Sequence, residues 1–378
     1  MRREAGLRRL EGSCPAYVRK IAVLRASGIG DFMFSLPSLE ALRAAYPEAE
    51  IILLGRPWHA EFLEGRRGPI DRVVVPAITG VNDDPDANQD PSALERFLRA
   101  MQREHFDIAI QLHGGGRYSN PFVLHSGAKV TVGMRTEDAP PLDRWIPYVY
   151  YQPEILRTLE VVGLVGGRTE NLEPRLAVTE RDLQESLAAV PQTQKPLAAL
   201  HPGASDPRRR WPAEKFAEVG DALAVAGAHV VVTGTAPERQ LVEAVRTNMS
   251  GAAEDVCDRL SLGGLAGLFS RCRVVVSNDS GPLHLAAASG AATAGIYWCG
   301  NLINAEPITR TRHRAALSWQ LECSLCGANC TVDRCDHLVS YVAGVPVEEV
   351  RDPALELLAT QAYRRPGFAR HPGVPLGG

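Results

Sequence analysis

Residues 20–31 read KIAVLRASGIGD, an apolar run that gives way to two glycines and an acid ahead of the helical pattern SLEALRAAY at 38–46. A strand covered on both faces is apolar almost throughout, and a glycine turn into a helix is a common exit from such a strand. Similar runs recur at 50–54 (EIILL), 71–75 (DRVVV), 107–112 (DIAIQL), 128–133 (AKVTVG), 197–201 (LAALH), 229–234 (HVVVTG) and 273–278 (RVVVSN). Helical patterns such as PAEKFAEVGDALAVAG at 212–227 lie between many of them. Strands alternating with helices make parallel sheets flanked by helices. The alternation starts at Lys20 and again at Pro196, after a polar stretch from Thr179 to Lys195. The expectation is an α/β protein of two Rossmann-like, doubly wound domains, 20–185 and 186–363, after an N-terminal extension (1–19) and before an irregular tail (364–378). Facing one another, such domains hold a ligand in the interdomain cleft where the carboxyl ends of their strands meet.

The 378 residues include 41 basic and 44 acidic side chains, for a formal net charge of −3, with 45% hydrophobic and 22% charged residues. This is ordinary globular usage, and the length suits two domains. It lacks the basic excess that recognition of a phosphate backbone leaves, so a small or glycan-like partner is expected and nucleic acid is not. The start, MRREAGLRRLEGSCPAYVRK, has no apolar centre of the signal-peptide kind, and no charge-free stretch near 18 apolar residues occurs. It reads as a cytoplasmic chain with at most peripheral contact with the inner face of the membrane; Glu4 and Glu11 interrupt its arginines.

Four loops carry residues suited to chemistry. In RASGIGD (25–31), Gly28 and Gly30 begin a dinucleotide fingerprint, but Met33 stands where the third glycine belongs and the second strand ends at Gly55 without a ribose-binding acid. A dehydrogenase is therefore disfavoured. Asp31 could take a proton from a hydroxyl in the cleft, or serve as a capping or first-turn acid of the following helix. Pro37 either begins that helix or kinks it. In QLHGGGRYSN (111–120), Gly114 and Gly115 allow close approach of a ligand, with His113 and Asn120 to bond sugar hydroxyls. In LHPGASDPRRRWP (200–212), Ser205 and three arginines beside a helix N-terminus suit a diphosphate. In SNDSGPLHLAAA (277–288), Asp279, Ser280 and Gly281 end a strand, and Pro282 in the next helix's first turn leaves N–H groups for a second anion site. His284, one turn further, fits a packed structural role or a catalytic one.

Cys323, Cys326, Cys330 and Cys335 lie within 13 residues, with His337 just beyond. In a cytoplasmic chain this reads as a metal clamp, with structural zinc as the candidate, although the spacing is not that of a zinc ribbon. Cys14, Cys257, Cys272 and Cys299 are scattered and read as free thiols. The D-x-D at Asp84–Asp86 sits in DDPDANQD and reads as a solvated loop.

Taken in order, R-x-x-x-x-G-D, SLPSLEALRAAYP (35–47), the HGGG loop, HPGAS…RRRWP, TGTAPE (233–238) and SNDSGPLHLAAA resemble family 9 of the glycosyltransferases, the bacterial heptosyltransferases, over about residues 20–350. The resemblance implies a GT-B fold, with the acceptor on the first domain and a nucleotide sugar on the second. It also implies inverting, metal-independent transfer from ADP-heptose with no cofactor required. By motif, Asp31 is the general base, and Gly28, Gly30, His113, Gly114, Gly115 and Asn120 fall on the acceptor side. Ser205, Arg209, Glu238, Asp279, Ser280, Gly281 and His284 fall on the donor side. Arg209 stands where the family usually has Lys, and Glu238 matches the acid on the donor ribose. A lipopolysaccharide-core-like or lipid-linked glycan, or a small molecule, is the implied acceptor. The rivals are a GT-B sugar-nucleotide epimerase and a binding protein without catalysis; the retained Asp31 argues against the second. The helical pattern at 346–363 is expected to pack across both domains.

Overall fold

The computed structural model describes residues 17–75, 91–333 and 335–360. Cys14, Asp84 and Asp86 lie outside them. The first sheet contains β1 (Lys20–Leu24), β2 (Glu50–Leu54), β3 (Arg72–Val74), β4 (Ile108–Gln111), β5 (Val130–Arg135) and β6 (Arg144–Pro147). The second contains β7 (Leu197–His201), β8 (His229–Val232), β9 (Glu254–Asp255), β10 (Cys272–Asn278), β11 (Ala292–Trp298) and β12 (His313–Ser318). Their orders are β3-β2-β1-β4-β5-β6 and β12-β11-β10-β7-β8-β9. Every pairing is parallel. Each sheet thus has the doubly wound 3-2-1-4-5-6 order, as expected. All eight runs picked out in the sequence are strands, within a residue or two at each end.

The first lobe carries α1 (Ile29–Ala45), α2 (Pro57–Leu63), α3 (Pro91–Arg103), α4 (Ser119–Leu124) and α5 (Glu154–Gly163). Next come α6 (Glu180–Ala189), α7 (Ala213–Val225), α8 (Arg239–Asn248), α9 (Leu262–Arg271), α10 (Gly281–Ser289), α11 (Cys299–Ala305) and α12 (Glu348–Ala359). A helix apolar all round belongs in an interior. Helix α1 is such a helix: Phe32 through Leu39 are all buried, and it lies between α5 and α10, so it joins the lobes. Pro37 lies inside it.

One apolar cluster runs through both lobes, from Ile21 and Phe32 in the first to Val275 and Leu285 in the second. Separate clusters cover the far face of each sheet. Helix α6, within which residue 185 falls, packs on α9, while its buried Asp182 accepts two hydrogen bonds from Arg66 of the first lobe at 2.7 and 3.2 Å. Leu176 N–H donates to Ala288 O at 3.0 Å. The last helix corrects the sequence expectation. Val350, Ala354, Leu357 and Leu358 of α12 are buried in the second lobe's own cluster, and the helix packs on α7, β10, β11 and β12. Among the described residues its apolar face is spent on the second lobe's sheet; residues 361–363 of the expected helix lie outside them.

Candidate active site

In a doubly wound sheet the crevice opens where the strand order reverses, outside the carboxyl ends of the two central strands. Here those strands are β1 and β4 in the first lobe and β7 and β10 in the second. The four loops singled out in the sequence leave these four strands, and α1 and α10 bring two of them together. A Cβ added to Gly30 would lie 2.8 Å from His284 Cδ2, and one added to Gly281 would lie 3.0 Å from Ile29 Cβ.

Asp31 stands in the first turn of α1, whose N-cap is Gly28, so the capping alternative is not realised through its side chain. Its carboxylate is just over half exposed. Behind it lies Arg25, buried at 3% exposure, which the sequence reading left without a role. Its Nε and Nη2 donate to Asp31 O at 3.2 and 2.7 Å, and Nη1 donates to Leu112 O beside the HGGG loop. Nη2 also lies 2.8 Å from Glu154 Oε1 and 3.8 Å from Asp31 Oδ1. Glu154 pairs in turn with Arg157, which donates to Tyr150 O and Gln152 O. One buried guanidinium therefore fixes Asp31, the glycine loop and α5 relative to one another. All but four of the 41 cations are arginines, which is why no single one stood out.

The glycine loop is shaped by its own residues. Gln111 donates to His113 O and Gly114 O at 2.7 and 2.9 Å, and Ser119 Oγ donates to His113 O at 2.8 Å. Gly114 and Gly116 have φ of 65° and 94°, which side chains resist. Gly115 lies against Thr136, whose N–H donates to Gly115 O at 2.8 Å. Nothing lies within 4 Å of a Cβ placed on Gly28 or Gly114, so both leave open space. Asn120 is fully buried, and its Nδ2 donates to Met134 O and Pro140 O at 3.1 and 2.9 Å, so it supports the loop from beneath its glycines.

On the second lobe, Asp279 is buried and receives three partners: His284 Nε2 at 3.2 Å, Asn301 Nδ2 at 3.1 Å and Arg209 Nη1 at 3.4 Å. Burial works to raise its pKa, but His284, Arg209 and Asn301 outweigh that and hold it below the ordinary carboxylate value. His284 also packs on Phe34 of α1, ring centroids 4.4 Å apart. Arg209 Nη2 reaches Ser205 Oγ at 3.2 Å. Ser280 is the N-cap of α10 and makes no side-chain capping bond, while Gly281 and Pro282 form the first turn. Asn278 ties the third loop to β10: its Oδ1 accepts from Trp211 N–H at 3.0 Å, and its Nδ2 donates to Pro202 O at 2.8 Å. Glu238 Oε2 accepts from Thr235 N–H and Oγ at 2.9 Å each. Its Oε1 occupies the space above Gly203, where a Cβ would lie only 2.0 Å away. The arrangement offers a proton acceptor on one wall, and on the other a cation beside uncapped helix N–H groups. This set suits displacement of an anionic leaving group by a hydroxyl.

The cysteine segment differs from expectation in one ligand. Cys323, Cys326, Cys335 and His337 place their ligand atoms within 4.8 Å of one another. Cys330 is not of that set; its Sγ lies 3.4 Å from Ala328 O. The backbone N–H groups of Leu325 and Cys326 draw the Cys323 thiol down to about 6. Three thiols and an imidazole fit a small thiophilic cation such as zinc.

A model of glycosyltransferase family 9 (heptosyltransferase) matches residues 94–333. Lipopolysaccharide heptosyltransferase 2 of Escherichia coli is 25% identical over 300 residues, which cover 74% of this chain and 82% of that protein. A family 9 glycosyl transferase from Veillonella parvula superposes with a TM-score of 0.73 at 22% identity, covering 90% of this chain and 97% of that one. E. coli ADP-heptose lps heptosyltransferase II gives a TM-score of 0.69 at 19% identity, with 90% and 98% covered. The two-lobed architecture is the GT-B fold of these structures.

Proposed function

Because the chain belongs to glycosyltransferase family 9, we propose that it moves heptose from ADP-heptose to a hydroxyl of a lipopolysaccharide-core-like acceptor, with inversion and without a metal at the reacting centre. The observation that carries this is the meeting of Gly30 with His284, which sets Asp31 of one lobe beside the Asp279–Arg209 cluster of the other. Likeness to E. coli ADP-heptose lps heptosyltransferase II supports the choice of donor.

In this mechanism Asp31 accepts the proton of the acceptor hydroxyl as its oxygen attacks the anomeric carbon from the face opposite the diphosphate. The bond from that carbon to the diphosphate oxygen breaks, and ADP leaves with the electron pair. The growing charge falls to Arg209 and to the first-turn N–H groups of α10 at Ser280 and Gly281. Arg209 gives this lobe a planar, two-pronged donor where the family usually has Lys. Asp279 holds that guanidinium from behind, and His284 holds Asp279. Glu238, whose carboxylate lies over Gly203, takes the ribose hydroxyls in this reading. Among the described residues no helix is long and apolar enough to cross a membrane. The site we propose is cytoplasmic, with access to lipid-linked acceptors at the inner face of the membrane.

The test is calorimetric binding of ADP-heptose against UDP-, GDP- and dTDP-sugars, followed by turnover with lipopolysaccharide-core acceptors. We expect selective ADP-heptose binding and a product of inverted anomeric configuration. Preference for another nucleotide would discard ADP-heptose. Conversion of the ADP-heptose sugar to an epimer with no acceptor present would replace transfer by epimerisation.

A further inference from the structure

Between β12 and α12, residues 319–347 contain no helix or strand among the described residues, beyond a single antiparallel bridge from Glu322 to Asn329. The segment has little core of its own: Trp319, Leu325, Val332 and Leu338 are each at least 64% exposed. A stretch of this length without regular structure needs some other staple to hold one shape. Yet its far end is fastened to the loop that carries Arg209. Tyr341 N–H donates to Arg208 O at 2.7 Å and Ser340 Oγ to Arg210 O at 2.6 Å, one bond on each side of Arg209. Trp211 Nε1 donates to Val345 O at 3.0 Å, and Lys215 Nζ to Ala343 O and Val345 O at 2.9 Å.

We propose that Cys323, Cys326, Cys335 and His337 bind one tetrahedral thiophilic cation, zinc or iron, and that this ion is the staple that holds the Arg208–Trp211 loop in its phosphate-binding shape. The statement about phosphate rests on the donor reading above; the statement about the ion does not. Metal–sulfur and metal–nitrogen bonds of about 2.3 and 2.0 Å place neighbouring ligand atoms of a tetrahedron about 3.5 Å apart. Cys323 Sγ and His337 Nδ1 are 3.6 Å apart. Cys323 and Cys326 flank a tight turn closed by the Gly327 N–H, which donates to Cys323 O at 2.8 Å. Gly327 has φ of 71°, a conformation that closes the turn and that a side chain would oppose. Cys335 and His337 complete the set, His337 three residues before Ser340. An ion clamping both ends therefore fixes where Ser340 to Val345 can lie, and these residues fix Arg208 to Trp211. Binding free energy at such a site is folding free energy of the segment that supplies the ligands.

The experiment uses the full chain purified anaerobically in two batches, one supplied with zinc and one with iron, with element analysis and X-ray absorption on each. We expect one ion per chain in at least one batch, with three sulfur neighbours and one nitrogen. Cys330→Ser should retain the ion, whereas Cys326→Ser and Cys335→Ser should lose it. Stripping the ion with a chelator should speed amide exchange across 205–211 by roughly tenfold or more, with β1 and β4 unchanged, because local opening follows lost local support. ADP affinity should fall in parallel. Absence of a stoichiometric ion in both batches overturns the proposal. So does unchanged exchange at 205–211 after stripping, acceleration that is equal in β1 and β4, or loss of the ion in Cys330→Ser. A loaded protein that fails to bind ADP would sink the donor reading instead, while the exchange measurement would still decide this one.

Discussion

Gly30 and His284 touch across the two lobes: the imidazole Cδ2 fills the space that a Cβ on Gly30 would enter at 2.8 Å. The residue just before Asp31 is thus packed on the side chain that holds Asp279, and Asp279 holds Arg209. Asp31 and Arg209, to which the proposed transfer gives the proton and the phosphate charge, are linked by one glycine and one imidazole. No long-range pathway is needed to couple the lobes at this point.

Gly30→Ala tests that linkage. The added methyl must displace the His284 ring, which also packs on Phe34. Overpacking of this kind typically costs about 1–3 kcal/mol. We expect a lower midpoint in urea together with a fall in kcat/KM of roughly tenfold or more, as a misplaced Asp279 lets Arg209 move. Unaltered turnover in Gly30→Ala would remove His284 from the arrangement.

Asp31→Asn should abolish transfer by a factor of about 10² to 10⁴, the usual contribution of a general base. Arg25 grips the Asp31 carbonyl more closely than its carboxylate, so the loop should keep its place in the variant. ADP binding, measured in parallel, should not change. Most of the wild-type rate surviving in Asp31→Asn would mean that another group takes the proton.

How much of this could be read from the chain follows from what each signal is made of. The eight runs seen in the sequence are β-branched or aliphatic and short, and all are strands. Missed were β6 (RWIP) and β9 (ED), too short or too polar to register, and β11 (ATAGIYW) and β12 (HRAALS), whose alanines suit a helix as well. The four loops that leave β1, β4, β7 and β10 are legible because glycine, proline and charge gather there for local reasons. Arg25, Glu154 and Arg157 were not, since their roles come from a buried meeting of segments far apart in the chain. His337 lies just beyond the cysteines, and spacing alone cannot say which of five neighbouring ligands turn inward.

Acid should destabilise the fold through buried histidines. Burial pushes His59 and His313 down to about 3, while in the unfolded chain each titrates near 6.5. Between those values the unfolded chain binds more protons, so stability is full above about pH 6.5 and is lost as pH falls toward 3. At about 1.4 kcal/mol per unit and per group, going from pH 7 to pH 5 should cost on the order of 4 kcal/mol. His201 shifts in the same direction through burial. Urea midpoints at the two pH values should converge in His59→Gln and, by a similar amount, in His313→Gln. An equal pH 7 to pH 5 difference in both variants and wild type would show that these rings are not the titrating groups.

The pairing of Gly203 with Glu238 gives a test of the nucleotide end that does not remove the acid itself. A Cβ at Gly203 would fall 2.0 Å from Glu238 Oε1 and 2.3 Å from its Cδ, so Gly203→Ala must swing the carboxylate away. The three atoms nearest that Cβ all belong to the Glu238 carboxylate, whose Oε2 is held by Thr235. If Glu238 bonds the ribose, losing a hydrogen bond to a charged acceptor should weaken ADP by about 1.5–3 kcal/mol, tenfold or more, in Glu238→Ala. Gly203→Ala should do nearly as much while keeping the acid. Because both changes act through one contact, the double variant should be little worse than either alone, and calorimetry with ADP reads this directly. Additive losses would mean that Gly203 and Glu238 meet the nucleotide separately; undiminished affinity in Glu238→Ala would take the ribose role from it.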